Sequence, residues 1–155
     1  IVTGSLQLAN ETLSMLAYLT SEAKIASHFA NSALCNGLAA MLLDLLRKLA
    51  GPKVSDLKVE DPEKYFFRPK IMLTETIQIF LNFANEATFL RAAAVDGHYV
   101  SGGGTSFFKK AIKIVRRRCL LSEHDVDRFA NVAKSLERYA AQAKEVEEKL
   151  DDAPD

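Results

Sequence analysis

Apolar residues recur along this chain at spacings of three and four, the period of an α-helix with one buried face. Leu6, Ala9, Leu13, Leu16 and Ala17 share one face of a helix predicted over residues 5–19. Thr20 and Ser21 mark an interruption or a fresh cap, with Glu22 in the next first turn. Ile25, Ala26 and Phe29 carry the apolar face onward. From residue 32 the stripe runs Leu34, Leu38, Met41, Leu42, Leu45 and Leu49. Arg47 and Lys48 occupy its last turn, where cations suit the helix dipole. Gly51 then offers a C′ residue, and Pro52 forbids continuation.

Residues 49–70 break the rhythm. Helix connections usually take about 2–8 residues, and this one is far longer. It holds Tyr65, Phe66 and Phe67, aromatics expected to pin the arm to the body rather than leave it as a linker. Pro69 opens the next helix, where a missing N–H costs nothing. There Leu73, Ile77, Phe80 and Ala84 form one stripe and Met72, Ile79 and Phe83 an adjacent one. A helix apolar over so much of its circumference lies between neighbours, so the fold is predicted to be stacked helical layers.

Residues 96–105 read as loop, with a turn at Asp96-Gly97 and a flexible run at Gly102–Gly104. Thr105 or Ser106 is expected to cap a helix with Phe108, Ile112, Val115 and Cys119 inward and Lys109, Lys113, Arg116 and Arg117 outward. Ser122-Glu123-His124-Asp125 has capping-box spacing, with Asp replacing the usual Glu. A long helix follows through Val126, Phe129, Ala133, Leu136, Ala140, Ala143, Val146 and Leu150, its last turns expected to protrude or fray. The fold class is therefore all-α, with five to six helices, one long irregular arm and one Gly-rich loop.

Composition adds bounds. The chain has 155 residues, 48% apolar and 26% charged, with zero net charge. That suits one globular domain and gives no whole-molecule field toward nucleic acid or acidic membranes. The charge is unevenly placed. Lys109, Lys110, Lys113, Arg116, Arg117 and Arg118 form a block without an acid, whereas residues 145–155 are strongly acidic. The chain starts at Ile1 and reads as a piece of something longer. Cys35 and Cys119 lie in apolar-periodic segments and read as small buried hydrophobes of a reducing compartment, a long-range disulfide being the alternative. No apolar run reaches the ~18 residues needed to span a bilayer.

Candidate chemistry is sparse. The triple glycine lacks the Gly-Lys-Ser/Thr of a phosphate loop. His28, His98 and His124 are scattered, with no metal-ligand spacing. No catalytic, cofactor or metal site is expected. The basic stripe lacks interleaved aromatics that would stack on bases. It reads as a solvated face first and as a surface for an acidic protein second.

One resemblance supplies a function. Leu49-Ala50-Gly51-Pro52-Lys53, Leu57-Lys58-Val59, Asp61-Pro62-Glu63-Lys64-Tyr65 and Phe67-Arg68-Pro69-Lys70 together resemble a stretch of the E4-type ubiquitin chain elongation factors. Val95-Asp96-Gly97 with Tyr99 is similar to that family's Asp-Gly-Arg-Ser-Tyr turn, here with His98 in place of Arg-Ser. Asp152-Ala153-Pro154-Asp155 is similar to the junction where the family's U-box begins. The resemblance covers roughly residues 42–155, and residues 1–41 add helical character.

The resemblance implies an armadillo-like stack, residues 1–155 being the C-terminal part of the core and a U-box following residue 155. It implies a scaffold segment of a ligase that extends polyubiquitin chains for proteasomal degradation, inactive without the U-box. Implied partners are a segregase ATPase, proteasome shuttle adaptors and ubiquitinated substrate, with a charged conjugating enzyme held only by the U-box. Neither nucleic acid nor membrane is implied, and the location is cytoplasm and nucleus. Two other readings stay open: a helical-repeat adaptor of another complex, and a nucleic-acid-binding domain using the basic stripe.

Overall fold

The computed structural model describes residues 2–51 and 68–154. Among them lie eight α-helices and no strand. The N-terminal three are α1 (Val2–Thr20), α2 (Ala23–Ala30) and α3 (Cys35–Ala50). Then come α4 (Pro69–Asn82), α5 (Ala87–Val95), α6 (Gly97–Ser101), α7 (Ser106–Arg117) and α8 (Glu123–Asp151). This exceeds the expected five or six for two local reasons. The stretch after Pro69 breaks at Phe83, whose N–H bonds back to Ile79 and Phe80, so α4 and α5 separate. The presumed loop at 96–105 begins with a helical turn, α6.

The first corner is built from short polar side chains. Thr20 is buried, and its Oγ1 donates to the Leu16 carbonyl at 2.6 Å while accepting from Asn82 Nδ2 at 3.0 Å. Asn82 also donates to the Ala17 carbonyl, and Ser14 Oγ donates to Glu75, so a polar seam ties α1 to α4. Between α2 and α3 the axis turns by 104°. Asn31 Nδ2 donates to the Ser27 carbonyl and Ser32 Oγ to the Phe29 carbonyl, closing α2 where its own ladder stops.

α3 lies centrally, against α4, α5, α6 and α7. Its buried face is wider than the expected stripe. Leu43 and Leu46 are fully buried together with Leu42, while Leu34 is an exposed residue at the helix start. On α1, Leu13 and Leu16 are buried as expected; the Leu6 side chain lies outside the described residues.

The deepest packing is aromatic. The Phe80 ring of α4 meets Phe89 of α5 at 6.2 Å, Phe108 of α7 at 5.6 Å and Phe129 of α8 at 6.1 Å. Phe83 stacks on Phe89 at 4.2 Å, and Tyr99 of α6 meets Phe108 edge-on at 6.2 Å. Five helices thus share one aromatic cluster. On its outside, the Arg91 guanidinium covers the Tyr139 ring at 5.2 Å and seals α5 against α8. Arg128 Nη2 of α8 donates to the Leu81 carbonyl in the last turn of α4, a cation where the helix dipole is negative.

The end of α7 overturns one expectation. Cys119 does not face inward: it is exposed, with φ at +54°. Its N–H bonds to the Arg116 carbonyl at 3.2 Å, and the Leu120 N–H to the Val115 carbonyl at 3.0 Å. Those two bonds make a Schellman closure, which demands a left-handed residue at C′ and sends the next apolar residue inward. Leu120 therefore packs on the core, and Cys119 turns out. Cys35 is buried as expected, and both thiols are free.

The cap at Ser122 is as expected on one side: its Oγ accepts from the Asp125 N–H at 3.2 Å. The Asp125 carboxylate pairs instead with Arg128. Beyond Ala143 every described side chain of α8 is exposed, including Val146 and Leu150, yet the helix persists to Asp151.

Two outcomes follow from this packing. Phe80→Ala should cost about 3–5 kcal/mol of unfolding free energy in urea titrations, because its ring contacts three other helices. Cys119→Gly should add about 1 kcal/mol, since glycine adopts the left-handed conformation without a Cβ clash, while Cys119→Val should lower stability.

Candidate interaction surface

α7 owes its orientation to its own alternation. Phe107, Phe108, Ala111 and Val115 are buried, and Lys109, Lys110, Lys113, Arg116 and Arg117 stand exposed opposite them, followed by exposed Arg118. Lys109, Lys113, Arg116 and Arg117 share a face as expected. Arg116 is partly neutralised, its Nε lying 3.4 Å from Glu123 and its Nη2 3.6 Å from Asp127. Among the described residues no acid pairs with Lys109, Lys110, Lys113, Arg117 or Arg118. Like charges four residues apart on a helix cost about 0.2–0.5 kcal/mol per pair, so the stripe opposes the stability of its own helix.

Tertiary packing extends the stripe in a way that the sequence concealed. Lys110 shares a cleft of about 490 Å³ with Arg47 and Lys48 at the end of α3, together with Gly51, Gly102, Ser106 and Phe107. Arg47 and Lys48 both hold Asp44, at 3.0 and 2.8 Å. Burial pushes the Asp44 carboxyl up, but hydrogen bonds from Lys48 and Arg47 outweigh it and hold the group below the ordinary carboxylate range. Two cations over one carboxylate leave this corner net positive. Phe107, nearly fully buried, shows the cleft only an apolar edge.

The motif residues behind the resemblance do not converge. Gly51 caps α3 in extended backbone rather than the left-handed form; glycine is needed because a Cβ would lie 2.7 Å from the Arg47 carbonyl oxygen. Pro69 is the first residue of α4. Asp96 caps α6, its Oδ1 accepting from the His98 N–H at 2.9 Å, and Gly97 is the first residue of that helix. Pro154 is exposed beyond α8. Pro52, Asp61, Pro62, Tyr65, Phe67 and Asp155 lie outside the described residues. Of these, Gly51, Pro69, Asp96 and Gly97 start or stop a helix. Among the described residues no three His, Cys, Asp or Glu side chains gather into a metal-sized cluster.

The Gly-rich segment is a latch. Gly103 has φ at +91° just past α6, and the Gly104 N–H returns to the Tyr99 carbonyl at 3.0 Å. Thr105 stands at the N-cap of α7 as expected, but its hydroxyl donates to Glu137 Oε1 of α8 at 2.6 Å instead of capping. Tyr99 is buried beneath this loop, and burial, then the Glu137 carboxylate, push its phenol up to about 12. An Asp-Gly-x-Tyr signal could have pointed to the buried tyrosine; nothing local could have paired Thr105 with Glu137.

With this geometry in view, comparison with known proteins decides the family. A family model described as the ubiquitin elongating factor core matches residues 1–137. The chain belongs to the ubiquitin elongating factor core family. The match includes residues 1–41, which by sequence reading contributed only helical character. Relatives agree: Ubiquitin conjugation factor E4 of Schizosaccharomyces pombe is 38% identical over 96% of this chain. Ubiquitin conjugation factor E4 A of Pongo abelii is 30% identical over 96% of it. E4 ubiquitin-protein ligase UFD2 of Saccharomyces cerevisiae is 31% identical over 76%. The chain spans only 14%, 13% and 12% of those relatives' own lengths.

The latch gives a pH-dependent outcome. An unfolded tyrosine titrates near its ordinary value of 10.0, and Tyr99 in the fold titrates near 12. A raised folded value means that its contribution to stability is complete below about pH 10 and is lost as pH climbs from about 10 to about 12. Urea midpoints over that range should fall more steeply for the natural chain than for Tyr99→Phe.

Proposed function

We propose that this chain is a scaffold layer of an E4-type ubiquitin ligase, the C-terminal part of the core, working with a U-box beyond residue 155. The observation that carries this reading is the elongating-factor core match across residues 1–137. The relatives' names, which speak of ubiquitin conjugation and ligation, support it. In this reading the chain supplies no nucleophile, acid or base. It holds ubiquitinated substrate and protein partners in fixed relation to a conjugating enzyme that the U-box recruits. On this reading the core's partners are a segregase ATPase and proteasome shuttle adaptors, and it acts in cytoplasm and nucleus.

The shared aromatic cluster suits that role. A scaffold must hold distances rigidly, and a core in which α4 to α8 all touch one cluster has no hinge between those helices. The capping roles of Gly51, Pro69, Asp96 and Gly97 have the same effect, since they fix where helices stop and turn.

The test is a substitution of segments. In the Schizosaccharomyces pombe relative, the matching segment is replaced by this chain, and ubiquitin chain extension is followed with activating enzyme, conjugating enzyme and a pre-ubiquitinated substrate. Extension should persist in the chimera and fall to background when the chimera carries Phe80→Ala. The 155-residue chain by itself should extend nothing. Chain growth by the isolated chain, or a chimera no better than a deletion of the segment, would refute the scaffold reading.

A further inference from the structure

We infer that the basic face of α7, continued through Lys110 into the cleft with Arg47 and Lys48, is a docking site for an acidic polypeptide segment carrying an apolar residue. Lys109, Lys113 and Arg117 rise along one face over about 12 Å, at about 6 Å per step. Carboxylates two apart on an extended strand, or four apart on a helix, repeat at nearly the same distance. An acidic segment laid along α7 therefore meets one cation at each step.

Three features favour a protein partner. Among the described residues only Arg116 of the stripe is paired, and its contacts of 3.4 and 3.6 Å are long and exposed. The chain's own surplus acids, Glu145, Glu147, Glu148, Asp151 and Asp152, stand on the exposed end of α8 and pair with none of these lysines and arginines. The cleft at the head of the stripe joins the edge of Phe107 and the aliphatic stems of Arg47, Lys48 and Lys110 to the charges of those three residues. Charge alone would take any polyanion; the combination selects a segment with a side chain to bury. No aromatic side chain is exposed along α7 to stack on a base, which disfavours single-stranded nucleic acid.

This inference goes beyond the ligase reading and is tested without ubiquitin chemistry, so either can fail alone. The probe is a labelled oligoglutamate peptide with one central phenylalanine, titrated with the 155-residue chain and followed by fluorescence anisotropy. Binding should weaken steadily as salt rises. The combined reversal Lys109→Glu, Lys113→Glu, Arg117→Glu should weaken it about tenfold or more. Lys110→Glu should abolish the advantage of the phenylalanine peptide over plain oligoglutamate. Reversal of Lys134 and Lys144 on α8 should leave affinity within about twofold. Circular dichroism checks that each variant keeps its helix content, and glutamine replacements serve where a reversal does not fold. Equal affinity for the natural chain and the α7 variants would overturn the inference. So would tighter binding of an oligothymidylate of equal charge, or a phenylalanine that adds nothing.

Discussion

The arrangement of α4 to α8 depends on fitting seven aromatic rings into one volume. Phe80, Phe83, Phe89, Tyr99, Phe107, Phe108 and Phe129 come from α4 to α8 and the turn after α4, and none is more than 3% exposed. Rings of that size pack with few voids in few arrangements, so they set the relative positions of five helices together. The latch closes over Tyr99, and the break at Phe83 leaves that ring stacked on Phe89. The α1–α4 seam, by contrast, contributes no ring: it joins buried Leu13, Leu16 and Thr20 with the hydrogen bonds of Asn82.

Charge is arranged by the opposite logic. The chain is neutral overall, yet its cations collect on the outer face of α7 and its acids on the outer end of α8. Packing forces neither placement, because both sets of side chains stand in solvent. Among the described residues, the cost of i,i+4 repulsion along α7 is relieved by ion pairs only at Arg116. A helix whose inner face is tightly packed can bear that cost. The aromatic core is thus what allows a repulsive surface to exist on a stable helix.

The helices themselves were largely legible. Their apolar residues keep a 3.6 period, and the caps at Gly51, Pro69 and Ser122 are signals that act within a few residues. Counting them was harder. The split at Phe83 has no glycine or proline to announce it, and the single turn of α6 is too short for periodicity to detect. Cys119 was misread because its spacing from Val115 continues the apolar face; the Schellman closure that reverses it is a backbone event. The family was legible from the tract around Gly51 and Pro69, although much of that tract lies outside the described residues. The basic stripe was visible as a charge run. Its extension to Arg47 and Lys48 was not, since those residues already had a sufficient local explanation at the end of α3.

The amino-acid sequence by itself determined which segments are helical, which face of each is apolar, that α7 is basic outside, and which family the chain resembles. Those properties follow from periodicity, capping and composition, all read within a turn or two of chain. Only the tertiary structure decided that the aromatics of five helices form one cluster, that Thr105 reaches Glu137 instead of capping, and that Lys110 faces Arg47 and Lys48 across a cleft. These contacts join residues tens of positions apart. They are selected by the packing of whole helices against one another, a collective constraint that no local pattern encodes.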